Sequence, residues 1–270
     1  MKILVTGATG KVGQKFLEQI SCSELMKNAS AVALCHNRLI DPTEEISVVK
    51  GSIADKDTVD AAMNGITHVV HLATCKETPS DVMDVTVKGL FWLLEACREK
   101  SNFEQFLLIG GDAGMDHFFY PHPIPVTETQ KHSAYPGCYA LSKVLEEVML
   151  EQYQIQYSLP STCLRAPWIM EKDDFKYSLS FGDDVFGGPV WKDLVSQELA
   201  KKYEKAGNIP LMLNDNGEPI KRNFIHVDDL VQAIMQAILL PDKANGNTFN
   251  ISMDTPVDYG EVSKYLKDSR

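Results

Sequence analysis

The sequence predicts an α/β fold on a parallel, doubly wound sheet, and three observations predict it. Short apolar runs at residues 2–5, 31–34, 68–72 and 106–109 carry little polar alternation, as strands buried on both faces do. Segments of helical period separate them, at about 11–20, 57–63 and 82–98. A glycine-rich turn stands between the first run and the first helical segment. Strands alternating with helices make βαβ units, wound right-handed.

The first strand leads at once into Thr6-Gly7-Ala8-Thr9-Gly10-Lys11-Val12-Gly13, a G-x-x-G-x-x-G spacing that opens a helix. The first glycine permits a tight turn, the second lets backbone approach a pyrophosphate, and the third lets the helix pack on the strand. The N–H groups at the helix start then face the phosphates. Glycine also marks plain turns, but the strand–turn–helix context is what a dinucleotide site requires.

The second strand ends Ala33-Leu34-Cys35-His36-Asn37-Arg38. A fold preferring NAD usually places an acid here for the ribose 2′-hydroxyl. With Cys35 at that position and His36 and Arg38 following, NADP is favoured and NAD stays open. Arg38 as a solvated loop charge is the competing reading.

The segment 82–98 carries Val82, Val85, Leu90, Leu93, Leu94 and Cys97, mostly three or four apart. A further helix is predicted at 139–152 and a strand at 159–164. After Arg165 the pattern loosens: residues 171–222 mix glycine, proline, aromatics and acids around one predicted helix at 191–203, and a last helix is expected at 259–267. The expected division is a dinucleotide-binding core over 1–166 and a small C-terminal substrate lobe over 167–270, with 223–251 returning to the core. No internal repeat or Gly/Ser linker separates them.

Of the 270 residues, 37 are acidic and 26 basic, a net charge of −11 without a basic cluster, which argues against nucleic acid or an anionic membrane as partner. The six cysteines form no C-x-x-C pair, so several read as small buried hydrophobes. No signal peptide and no apolar run long enough for a bilayer is evident, and a reducing, cytoplasmic setting is expected. No metal site is expected.

Tyr139-Ala140-Leu141-Ser142-Lys143 places Tyr139 and Lys143 four apart, on one helix face. A phenol titrates near 10. A neighbouring ammonium and an oxidised nicotinamide ring should lower it. Tyr139 could then take a proton from a substrate hydroxyl, or return it. Alone, Y-x-x-x-K is a common accident; behind a glycine turn of this kind it points to chemistry.

These segments together resemble the extended short-chain dehydrogenase/reductases, the NAD(P)-dependent epimerase/dehydratase group with a Rossmann-type core. The resemblance runs over essentially the whole chain. It includes Thr6 to Gly13, Gly51-Ser52-Ile53-Ala54-Asp55 after the third strand, His68-Val69-Val70-His71-Leu72-Ala73, Gly89, and Leu93-Leu94-Glu95-Ala96-Cys97. It continues through the Tyr139/Lys143 pair, Leu164-Arg165, Arg222-Asn223-Phe224-Ile225-His226-Val227-Asp228-Asp229, and Gly246-Asn247-Thr248-Phe249-Asn250-Ile251.

The resemblance implies that Gly7, Gly10 and Gly13 cradle the pyrophosphate, with Thr9, Lys11 and Val12 among the cofactor-binding residues. Ser52 and Ile53 would lie beside the adenine, and Leu72, Ala73 and Thr74 along the cofactor path. Tyr139 would be the acid/base with Lys143 as partner. Pro167 and Ile169 would pass near the nicotinamide carboxamide. It also implies a homodimer through helices like 82–98 and 139–152.

Three positions depart from the family pattern. Gly111 stands where a Ser or Thr usually bonds the reacting oxygen; the adjacent Asp112 is a substitute acid/base or a plain turn residue. Ser52 replaces an acid that often contacts adenine. Trp168 stands near the place of an Asn kept by many sugar-nucleotide enzymes, which leaves room for a smaller polyol, aldose or sugar acid. His117 and His122, in an aromatic-rich loop, are weak candidates for substrate contact. Asp173, Asp174, Asp183 and Asp184 read as solvated acids, and Asp228 and Asp229 as charges at a helix start.

The leading expectation is an oxidoreductase acting by hydride transfer at a hydroxyl/carbonyl carbon of a sugar-like substrate. A sugar or nucleotide-sugar epimerase/dehydratase, which oxidises transiently and returns the hydride, fits the same residues. A non-catalytic nucleotide sensor is the third reading; the missing Ser/Thr favours it and the Tyr139/Lys143 pair opposes it.

Overall fold

A computed structural model describes residues 1–115, 125–183 and 189–269. The described chain forms two compact units, Met1–Pro167 with Val227–Ile251, and Trp168–His226 with Ser252–Arg270.

In the first unit the chain runs β1 (Lys2–Thr6), α1 (Lys11–Cys22), β2 (Ser30–Cys35), β3 (Ile46–Lys50), α2 (Lys56–Ala62) and β4 (His68–His71). There follow α3 (Pro79–Asp81), a π-helical stretch Val82–Lys88, α4 (Gly89–Arg98), β5 (Gln105–Gly111), α5 (Cys138–Tyr157) and β6 (Ser161–Ala166). The second unit opens with β7 (Trp168–Met170), α6 (Asp174–Ser178), α7 (Gln197–Lys205), β8 (Lys221–Arg222) and β9 (Phe224–His226). The chain then returns to the first unit for α8 (Val227–Leu239), α9 (Pro241–Ala244) and β10 (Thr248–Asn250), and ends in the second with β11 (Val257–Asp258) and α10 (Tyr259–Asp268).

The first unit holds a seven-stranded sheet of order β10-β6-β5-β4-β1-β2-β3, parallel throughout. From β1 the chain winds outward to β3, then crosses to β4 on β1's other side. The β1/β4 gap is therefore the switch point, beyond whose C-terminal strand ends open α/β sheets generally bind ligands. Ile3, Leu4, Val5, Val69, Val70 and Phe106 are fully buried, because helices cover both faces of the central strands. On one face Leu4, Val32, Phe106, Leu90, Leu93 and Leu94 share a core.

The edge strand β3 is buried at only one of its five positions, so it lacks the apolar run that marks its neighbours. The helix expected over 82–98 is not uniform: its first half is π-helical. The wider turn buries Val82 and Thr86 and leaves Val85 partly exposed. Thr86 Oγ1 thereby accepts the Cys75 N–H at 3.0 Å. The helix expected over 191–203 breaks as well. A 3₁₀ turn, Trp191–Leu194, is followed by a new start at Ser196, whose hydroxyl accepts the Leu199 N–H and caps α7.

In the second unit β7 pairs with β9 in parallel and β8 with β11 antiparallel. Its core is Met170, Leu179, Phe224 and Tyr259, with Phe175 edge-on to Phe224 at 5.0 Å. The Arg222 guanidinium lies 4.1 Å over the Trp168 ring. Among the described residues no helix is long and apolar enough to cross a membrane, and no cluster of His, Cys, Asp and Glu could hold a metal ion.

Candidate active site

The site is built where β1, β4 and β5 end. Gly7 turns the chain with φ +66°, a left-handed conformation, and an added Cβ would lie 2.8 Å from Leu72 C and 2.9 Å from Ala73 N. At Gly13 a Cβ would lie 2.5 Å from Gly7 O. The turn and the opening of α1 thus close on bare backbone. Gly10 caps α1 and has no side chain to accept a hydrogen bond, so the helix start wants an acceptor from outside, which a pyrophosphate supplies. This cradle fits a dinucleotide.

Thr6 anchors the turn from below. Its Oγ1 accepts the N–H groups of Leu72 (3.1 Å) and Ala73 (3.2 Å), leaving the hydroxyl proton for His71 Nδ1 at 2.8 Å. The His71 proton therefore belongs on Nε2. Burial, with the Lys143 charge adding, pushes the His71 pKa down to about 3, so the ring is neutral. It faces Glu146, with Nε2 3.9 Å from Oε1.

Around the turn, Thr9 and Lys11 are half-buried and Val12 is buried. Arg38 Nη2 donates to Thr9 O at 3.2 Å, so the loop after β2 reaches the turn. His36 beside it is exposed, and Cys35 is buried. Ser52 Oγ accepts the Ala54 N–H at 3.2 Å. Ile53 is buried against Gly89, where a Cβ would lie 2.9 Å from Ile53 Cγ2. Leu72 and Ala73 are half-buried and Thr74 is exposed. Pro167 ends the first unit, and Ile169 belongs to the second. His117, His122 and Asp184 lie outside the described residues.

Tyr139 and Lys143 share one face of α5, the ammonium 5.6 Å from the ring centroid. The helix start is fixed by Glu77, which accepts the Cys138 N–H at 3.1 Å. The Tyr139 phenol lies above the ordinary value. Burial is the main cause and outweighs the pull of Lys143, and the carboxylates of Glu146, Asp112 and Glu77 add to it. Burial also opposes the charge of Lys143, but Glu146 and Tyr139 outweigh it and the pKa ends above that of an ordinary lysine.

Gly111 ends β5 in extended backbone, φ −147°. A Cβ there would meet Lys143 Cδ at 3.7 Å and Ala166 O at 3.9 Å, ordinary contacts. A serine therefore fits without strain. Asp112 opens the following 3₁₀ turn, half-buried, within electrostatic reach of Tyr139. Gly111→Ser should fold with Tm within about 3 °C of the parent and raise kcat about tenfold by supplying the missing donor. Thermal melts and rates check both; an unchanged rate would mean another group already serves.

Several site neighbours escaped sequence reading. Glu147 on α5 and Arg165 on β6 form a buried pair, with Arg165 Nη2 2.7 Å from Glu147 Oε2, and His132 Nε2 lies 3.0 Å from the same oxygen. Burial opposes the charge of Glu147, yet His132 and Arg165 hold its pKa below the ordinary value. Glu146 and the Thr6–His71 pair were likewise missed. Asp174 is not a solvated acid: it is buried, and its Oδ2 accepts the Glu171 N–H at 2.8 Å.

A doubly wound parallel sheet, a glycine turn at its switch point and a Tyr/Lys pair on the helix leading into β6 make up the site. The chain belongs to the NAD dependent epimerase/dehydratase family, whose model matches residues 3–252. That family is described as NAD dependent. UDP-glucuronate 4-epimerases 4 and 3 of Arabidopsis thaliana are each 23% identical over 301 residues, covering 98% of this chain. The chain spans 62% and 64% of their lengths.

Among solved structures, a short-chain dehydrogenase/reductase superfamily protein of Agrobacterium tumefaciens with bound NAD has TM-score 0.79 at 23% identity, covering 98% of this chain and 81% of its own. The UDP-glucuronic acid 4-epimerase of Bacillus cereus in complex with NAD has TM-score 0.75 at 18% identity, covering 100% and 84%. These likenesses establish the fold.

Proposed function

We propose that the chain is a nicotinamide-dependent enzyme acting at a hydroxyl carbon of a sugar-like substrate, and that epimerisation describes it better than net oxidation. The observation that carries the reading is the Tyr139/Lys143 pair, beside a glycine turn whose Gly7 and Gly13 admit no side chain. A dinucleotide, when bound, would supply the hydride acceptor. Gly7, Gly10 and Gly13 with the start of α1 hold its pyrophosphate, and Lys143 holds its ribose hydroxyls. Tyr139 takes the proton from the substrate hydroxyl and returns it. Asp112, next to Gly111 in the chain, is the candidate for a substitute acid/base.

Two things favour epimerisation over net oxidation: the family match, and curated relatives that are UDP-glucuronate 4-epimerases. By the same likeness a sugar nucleotide is the first substrate class to try, with the second unit as its lobe. For the cofactor, Arg38 on the turn and the lack of an acid after β2 support NADP. The NAD-bound neighbours support NAD as the alternative.

The test incubates the chain and cofactor with UDP-glucuronate, UDP-glucose and a panel of free sugars and sugar acids. Products are read by NMR, and reduced cofactor by absorbance. The expected result is a new sugar isomer without accumulating reduced cofactor. Steady accumulation instead would establish a dehydrogenase and overturn the epimerase reading.

A further inference from the structure

Lys143 lies beneath the surface, its side chain 5% exposed, and its ammonium is 2.8 Å from Glu146 Oε2, a carboxylate only 1% exposed. The next acid on α5, Glu147, is engaged elsewhere, by Arg165 and His132. The other titratable groups facing the pair are Tyr139 on the same helix, His71 at the end of β4 and Cys163 on β6. None of them carries a negative charge at neutral pH: the His71 ring is neutral, and burial raises the Tyr139 phenol and the Cys163 thiol. Beyond Glu146, the His71 ring approaches Oε1 to 3.9 Å, outside hydrogen-bond distance, and is itself held by Thr6 at the base of the glycine turn.

We propose that Glu146 is a positioning residue, the buried counter-ion that fixes the Lys143 ammonium beneath Tyr139. A lysine buried to this degree loses its proton readily unless an anion faces it. Without Glu146 the amine would turn neutral toward physiological pH, and it could neither bias the phenol nor attract ribose hydroxyls as a cation. The proposal rests on the assignment of Tyr139 and Lys143 as the working pair, but its test does not need turnover.

The experiment is an NMR titration of the full, cofactor-free chain labelled with ¹³C at lysine Cε. The Lys143 signal is assigned by its loss in Lys143→Arg. In the parent chain it should keep the ammonium shift to higher pH than an ordinary lysine. In Glu146→Gln, which keeps the shape and removes the charge, the midpoint should fall by about one pH unit or more. Equal midpoints would overturn the proposal.

Should Glu146→Gln not fold, the parent chain decides through the Glu146 Cδ signal. A carboxylate near neutral pH upholds the counter-ion, and a protonated carboxyl refutes it. A chain that binds no dinucleotide would sink the functional reading and leave both of these readouts intact.

Discussion

Tyr139→Phe should lower turnover by about a hundred- to ten-thousandfold, the range that a positioned acid or base contributes. Cofactor affinity should stay within about threefold, because the substitution removes one hydroxyl and leaves the glycine turn and Lys143 in place. The pH profile should change with it. In the parent, oxidation of a hydroxyl needs the phenolate, so the rate should climb with pH as Tyr139 ionises. Burial raises that pKa in the free chain, which places the climb late, and a positively charged nicotinamide ring would draw it earlier. The phenylalanine variant should lack this limb. Unchanged turnover would remove Tyr139 as the acid/base; turnover lost together with cofactor binding would mean that the variant damaged the site.

Gly7→Ala should be severely damaging. The position has φ +66°, and the new Cβ would sit 2.8 Å from the Leu72 carbonyl carbon and 2.9 Å from the Ala73 nitrogen. Those are backbone atoms held by Thr6, so they cannot rotate aside. Left-handed backbone costs about 1–2 kcal/mol for an L-residue, and overpacking about 1–3 more. A loss of about 2–5 kcal/mol in denaturant unfolding, with cofactor affinity down more than about a hundredfold, is the expected result. Gly10→Ala is the contrast. Gly10 has φ −80° and its Cβ would meet only Gly7 O, at 3.2 Å, so stability should hold within about 1 kcal/mol while affinity falls. Loss of stability in both variants alike would argue for a turn that is merely structural.

The central strands were legible because burial on both faces leaves continuous apolar runs such as Ile3-Leu4-Val5 and Phe106-Leu107-Leu108-Ile109. The edge strand β3 is half solvated and leaves no such run. The π-helical stretch Val82–Lys88 differs from α-helix only in hydrogen-bond register, which no side-chain pattern announces. In the site, the glycine turn was read from its place between a strand and a helix, and the Tyr139/Lys143 pair only with that turn ahead of it. Arg165 and Glu147 are 18 residues apart and meet only because α5 packs along β6. Glu146 is the instructive miss. An acid beside another acid on a long helix reads as a solvated face, yet here one carboxylate meets Lys143 and the other Arg165, both in the interior. For Tyr139, sequence shows the neighbouring lysine but not the burial that opposes its pull on the phenol.

The measurement that bears most directly on the account is calorimetric titration of the chain with NAD and with NADP. Saturable binding of one dinucleotide per chain is predicted, tighter for NADP, and lost in Gly7→Ala but kept in Tyr139→Phe. Absence of binding to either dinucleotide by the folded chain would contradict the account at its root.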